Sequence, residues 1–305
     1  MKLSQLRDVA IDNSHFTQLD DFITFCRYYL DFISIPDNIQ ARIIAQNEPQ
    51  YHFLQYKKDG GYQITRPINS DLFLSNIQFD SNISIFKDLI SNFPAVENSI
   101  ATRQCVNKTL YTIQQCLGST LDALPAVNSN KARKINGTLF EKLILIFLNN
   151  LRISAKAETL DLPVIHNNKV LFSIKYQHDI VIRNDLGDVK VIGAIKTTSK
   201  DRIDKVFIDK LLYSRLSATD IQHIAIILND VQRQKTKVNN QFNVGSTFLP
   251  GRFKGYMIKL CPLDGVYYFD IRKAMQTDKH LKEMISTFDQ LIFDELPLLF
   301  NNSSQ

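Results

Sequence analysis

Apolar residues recur every three to four positions in LDDFITFCRYYLDFISI (19–35), the period of an amphipathic helix, and Pro36 stops it. Residues 1–46 therefore read as helical. The period then changes: YHFLQYKKDGGYQITRPI (51–68) is two aromatic-rich alternating runs around Asp59-Gly60-Gly61, which predicts a hairpin. From Ile83 to about Leu124 the helical pattern returns, broken at Pro94 and closed by Pro125, and Lys131, Arg133 and Lys134 mark a short basic segment. GTLFEKLILIFLNNLRI (137–153) is the strongest helical pattern in the chain. Its apolar residues cover more than one face, which predicts deep burial. Glu141 falls in the first turn of that predicted helix, where the dipole favours a carboxylate. A plain N-terminal acid and a role near a metal are both open for it.

The stretch that organises the rest is residues 176–210, YQHDIVIRNDLGDVKVIGAIKTTSKDRIDKVFIDK. It reads as a strand through Asp179, a turn at Asn184–Asp188 with Gly187 able to take a positive φ, a second strand ending at Lys196, and a helix from about Arg202 capped by Ser199 or Asp201. IQHIAIILND (221–230) is an apolar run of buried-strand type. YMIKLCPLDGVYYFD (256–270) predicts a hairpin around Leu263-Asp264-Gly265, and an amphipathic helix is expected over roughly 277–296. The organisation predicted is a mainly helical N-terminal region with a hairpin (1–130), then an α/β (α+β) domain (131–305) with a central mixed sheet flanked by helices.

Composition narrows the class only a little. The 305 residues are 44% hydrophobic and 22% charged, as in an ordinary soluble protein, and the formal charge is +5. The four cysteines form no CxxC pair and sit in mostly apolar surroundings, so buried free thiols are expected. The N-terminus has no signal-peptide core and the longest apolar run, LILIFL (143–148), is too short for a bilayer. A reducing, cytoplasmic setting is expected.

The chemistry lies in Asp179 and Lys196. Asp179 stands inside an apolar run (Ile174, Ile180, Val181, Ile182), where an ionised group is expensive without a partner, and Lys196 follows VIGAI directly. An acid on one strand and a lysine at the end of the next converge at one edge of a sheet. That layout suits metal-dependent hydrolysis of a phosphodiester: Mg²⁺ needs one or two carboxylates, and a lysine can orient the attacking water and stabilise developing charge.

These residues resemble the PD-(D/E)XK nucleases, and within them the type II restriction endonucleases. In that family the first acid is followed, on the next strand, by acid–x–lysine. Here the second strand ends Ala194-Ile195-Lys196, so the second acid is absent from its usual place. Asp209, thirteen residues after Lys196, is similar to the acid that CCGG- and CCNGG-cutting enzymes carry on the following helix; Asp204 lies on the same helix. KTTSKDR is similar to the lysine–Ser/Thr–basic stretch of that group, and GTLFEKLI resembles its helix with an additional acid. The resemblance covers about residues 137–230. It implies Asp179 and Asp209 as Mg²⁺ ligands, Lys196 beside them, and Glu141 as a supporting acid.

Residues 231–260 hold six Lys or Arg and no acid, with Asn and Gln among them. Such residues contact phosphates and base edges, which makes this a candidate DNA-contacting loop through Arg233, Lys235, Lys237, Asn240, Arg252 and Lys254. Lys200 and Arg202 follow the catalytic lysine and join that set. Tyr51, Phe53, Tyr56 and Tyr62 are either core aromatics or base-stacking platforms. The reading is a prokaryotic, Mg²⁺-dependent, site-specific endonuclease acting on double-stranded DNA. Palindromic sites imply a homodimer, with the N-terminal helices as a candidate interface. A nuclease of the same fold with a repair or recombination duty, and a non-catalytic DNA-binding protein with a degenerate nuclease fold, stand as the other readings.

Overall fold

The computed structural model describes residues 1–58, 61–200, 203–217 and 221–301. They form two compact units, one of Met1–Ile146 with Val231–Ser246, the other of Phe147–Asp230 with Thr247–Gln305. The boundary expected at 130/131 therefore lies further along, and one later segment returns to the first unit.

The first unit begins with helices α1 (Leu3–Ile11) and α2 (Leu19–Ser34). The Asp21 carboxylate caps α2 by accepting from the Thr17 and Gln18 amides at 2.8 and 2.9 Å. The apolar stripe read from the sequence is buried, from Phe22 and Ile23 to Phe32 and Ile33. Residues 39–44 are not helical as expected. They form β1 (Ile39–Ile44), whose burial alternates residue by residue, antiparallel to β2 (Tyr51–Lys58). Strands β3 (Gly61–Ile64) and β4 (Ile68–Asn69) also pair with β2, so the expected hairpin is present; its turn residues Asp59 and Gly60 lie outside the described residues. Tyr51, Phe53 and Tyr56 are fully buried and belong to the core, which removes them as base-stacking platforms; the Tyr62 side chain is not among those described.

Helices α3 (Asn76–Asn92) and α4 (Ile100–Leu121) are capped by Ser75 and Ser99. Helix α5 runs Ser129–Asn150, eight residues earlier than its apolar run starts. Glu141 is consequently mid-helix, and the first-turn dipole argument for it does not apply. The four cysteines are free and buried, as expected.

The second unit is built on β5 (Ser154–His166), β6 (Lys169–Arg183), β7 (Val189–Lys196), α6 (Ile203–Ser217) and β8 (Gln222–Ile227). The chain then makes the hairpin β9 (Val231–Lys235) and β10 (Phe242–Ser246), which packs Val231, Phe242 and Val244 against Ala45, Tyr51 and Phe53 of the first unit's own core. The expected basic loop 231–260 is thus a hairpin of one unit followed, in the other, by α7 (Pro250–Gly255). Next come β11 (Gly265–Tyr268), α8 (Lys273–Thr277), α9 (Leu281–Met284), β12 (Ser286–Thr287) and a helical run over 288–301. The hairpin expected at 256–270 does not form: 256–260 is helical and β11 lies parallel to β8. The predicted 277–296 helix is likewise split by β12.

The six-stranded sheet has the order β12-β11-β8-β7-β6-β5. Its β5, β6 and β7 form an antiparallel meander, and β7, β8, β11 and β12 are parallel. This is the mixed sheet flanked by helices that the sequence predicts. The β6–β7 turn has the expected chemistry: Gly187 takes φ 87° and its amide donates to Asn184 O at 2.9 Å. Helix α6 buries Ile203, Val206 and Phe207 against Ala194, Ala225 and Ile227 of the sheet. No helix among the described residues is long and apolar enough to cross a membrane.

Candidate active site

Strand β6 carries one residue more than its partner where the site begins. Lys156 pairs with Val181 and Glu158 with His178, so two steps along β5 oppose three along β6. This is a β-bulge at Asp179–Ile180, a device that re-aims side chains. Adjacent strand residues ordinarily face opposite sides, yet His178 and Asp179 both line a single cleft.

Asp179 is met there by the end of β7. Lys196 Nζ donates to Asp179 Oδ2, and the Ile195 amide donates to the same oxygen at 3.0 Å. Both charged side chains keep 23% exposure, so the pair is partly desolvated and still reachable. The second acid comes from α6: Asp209 lines the same cleft, with Gln177, Gly193, Ala194, Lys205, Val206 and His223. Tyr176 on β6 donates its hydroxyl to Asp209 Oδ1 at 2.5 Å. Asp204, the other acid considered on this helix, instead accepts from Arg252 at 2.7 Å and does not line the cleft. Ala194, where the usual second acid would stand, is buried in the cleft wall.

Two buried imidazoles complete the site. His178 and His223 have ring centroids 6.0 Å apart, both pack against Tyr213, and the Nε2 atom of each is buried without a hydrogen-bond partner. Burial lowers both pKa values, to about 4 for His223, although the carboxylates of Asp209 and Asp179 oppose the shift at His178. Burial and the Asp209 contact raise the Tyr176 phenol, which keeps its proton. The sequence had flagged none of these three. Tyr176 and His178 sit three and one positions before Asp179, where a strand reading could have found them; His223 carries no local signal.

Oxygen donors and water suit a hard divalent ion, and Mg²⁺ takes one or two carboxylates, completing its shell with water and substrate phosphate. Asp179 and Asp209 supply two such groups to one cleft, whereas no cluster of three His, Cys, Asp or Glu among the described residues could hold an ion. The donor set fits Mg²⁺. Glu141 is placed on α5 in the other unit.

The expected DNA-contacting residues fall into three groups. Lys200, Lys235, Lys237 and Asn240 are exposed, Asn240 with φ 59° in the β9–β10 turn. Arg252 and Lys254 pair with Asp204 and Asp278, each at 2.7 Å, and Arg233 donates to the Ile64 and Thr65 carbonyls and lies over the Phe242 ring. Arg202 lies outside the described residues.

The fold, a mixed sheet flanked by helices, is that of the type II restriction endonucleases. The solved structure of the type IIP restriction endonuclease Kpn2I is similar over 99% of both chains, with a TM-score of 0.71 and 17% identity. The structure of restriction endonuclease PspGI with its substrate DNA matches 72% of this chain and 93% of its own, at 12% identity and a TM-score of 0.38. No protein-family model and no curated protein matches the sequence. At 17% identity the likeness establishes the fold; the chemistry rests on the cleft.

Proposed function

We propose that the chain is a Mg²⁺-dependent type II restriction endonuclease that hydrolyses double-stranded DNA at a specific sequence. The observation that carries this reading is the meeting of Asp179, Lys196 and Asp209 in one cleft of a restriction-endonuclease fold. Asp179 and Asp209 would hold Mg²⁺, which when bound polarises the phosphoryl oxygen and makes water a nucleophile at neutral pH. Asp179 keeps the Lys196 ammonium at the cleft through Oδ2. From there Lys196 orients the attacking water and stabilises charge developing on the phosphate.

Lys200, Lys235, Lys237 and Asn240 are proposed DNA contacts, with Arg202. Arg252 and Lys254 join them by exchanging Asp204 and Asp278 for phosphate, and Arg233 by leaving the Ile64 and Thr65 carbonyls; the exchange costs least at Arg252, whose ion pair is the most exposed. A two-fold recognition site implies a homodimer, and the setting is the cytoplasm of a prokaryote. Incubating the protein with unmethylated plasmid, with Mg²⁺ and with a chelator, tests the reading. Discrete fragments that need Mg²⁺ are expected. A smear, or cutting confined to branched DNA, would assign the fold to another nuclease duty, and no cutting with retained DNA binding would assign it to a non-catalytic binder.

A further inference from the structure

Two carboxylates face the cleft, and they are held differently. Asp179 is fixed by Lys196 and a backbone amide. Asp209 stands on a helix, and its Oδ1 accepts from the Tyr176 hydroxyl on β6. That hydroxyl is itself well anchored. The ring packs in the cluster of Leu162, Val181, Ile192 and Tyr213, and it lies against the His178 imidazole with centroids 5.3 Å apart and planes at 38°. A donor fixed to one oxygen sets the rotation of the carboxylate, and so decides which lone pairs it offers to the cleft. Asp209 reaches the site from α6, and the Tyr176 hydroxyl ties its carboxylate to β6.

We infer that Tyr176 is a positioning residue: its hydroxyl orients the Asp209 carboxylate toward a divalent cation in the cleft. The inference rests on the nuclease reading for the identity of the ion and assigns a role that acts through Asp209, without contact to the substrate. Groups that orient metal ligands in this way commonly contribute about 10–100-fold to metal affinity.

The test is a titration of the full-length protein with Mn²⁺, read by the loss of the free-ion electron paramagnetic resonance signal, in the absence of DNA. Wild type, Tyr176→Phe and Asp209→Asn are compared, each well below its melting temperature. The Phe ring keeps the packing against His178 and removes only the hydroxyl. The expected result is that Tyr176→Phe raises half-saturation about 10-fold, Asp209→Asn raises it at least as much, and cleavage by Tyr176→Phe is restored by excess Mn²⁺. Unchanged or tighter binding in Tyr176→Phe, with weakened binding in Asp209→Asn, overturns the positioning role and leaves Asp209 as a ligand. Unchanged binding in both variants overturns the ligand assignment as well.

Discussion

Two ion pairs, one in each unit, have nearly the same exposure and quite different construction. In the first unit Arg66 grips Asp122 by a fork, Nε and Nη2 each at 2.9 Å, while the Arg66 amide donates to the same carboxylate at 2.7 Å. The side chains are 22% and 23% exposed. The fork is packed so closely over α4 that a Cβ on Gly118 would collide with the guanidinium. In the second unit Lys196 and Asp179, each 23% exposed, are joined through a point-charge ammonium that lines an open cleft, and both contacts to the acid fall on Oδ2. Equal burial does not mean equal purpose. A planar guanidinium that satisfies a carboxylate on both oxygens is a lock, while an ammonium meeting one oxygen beside a cleft leaves the acid's other oxygen for a ligand.

The largest effect should come from breaking the cleft pair at its acid. Asp179→Asn is expected to lower the Mg²⁺-dependent cleavage rate by about 10³-fold, the kinetic equivalent of several kcal/mol, with a melting temperature near that of the wild type. Single-turnover cleavage and calorimetry on one preparation check both halves. Breaking the lock should do the reverse: Arg66→Ala strands a part-buried carboxylate and should cost about 3–5 kcal/mol of stability in urea unfolding, leaving the cleavage rate of the folded fraction intact. An inactive but fully stable Arg66→Ala protein would dissolve the contrast.

A smaller effect is expected from acid. Burial holds His223 near a pKa of about 4 in the folded protein, against 6.5 for a free imidazole. Between those values the unfolded chain binds a proton that the folded chain refuses. Stability is therefore lost as pH falls from 6.5 toward 4, by up to about 3 kcal/mol. His223→Gln should flatten that limb in unfolding curves taken at several pH values, and an unaltered limb would show that the imidazole is not what titrates. The smallest effect belongs to the helix acid outside the cleft. Asp204→Asn loses a surface pair with Arg252 and should shift stability by no more than about 0.5 kcal/mol, with cleavage unchanged. A severe loss of cleavage there would exchange the roles of Asp204 and Asp209.

What could be read from the sequence follows the same division. The strand–turn–strand–helix around Asp179 and Lys196 was legible because Asn184–Asp188 has turn residues and both charges interrupt apolar runs. β5 was missed because SAKAETLDLPVIH has no sustained apolar alternation; it is an edge strand whose residues are largely exposed. The early start of α5 was hidden because its first turns, SNKARKIN, are polar, and that misplaced Glu141 in the helix. β11 was read as half of a hairpin because Leu263-Asp264-Gly265 mimics a turn, whereas its partner is β8, far back in the chain. Pairings of that kind leave no local trace. The His223 contribution is of the same sort, since a site assembled across strands and a helix is written in topology rather than in spacing.

The central claim is that the ammonium of residue 196 is kept in the cleft for chemistry. Its most direct test is the single-turnover cleavage rate of Lys196→Ala on a mapped DNA in saturating Mg²⁺, alongside its DNA affinity. The account predicts undiminished binding with cleavage lowered by about 10²–10⁴-fold. Cleavage at the wild-type rate would contradict it.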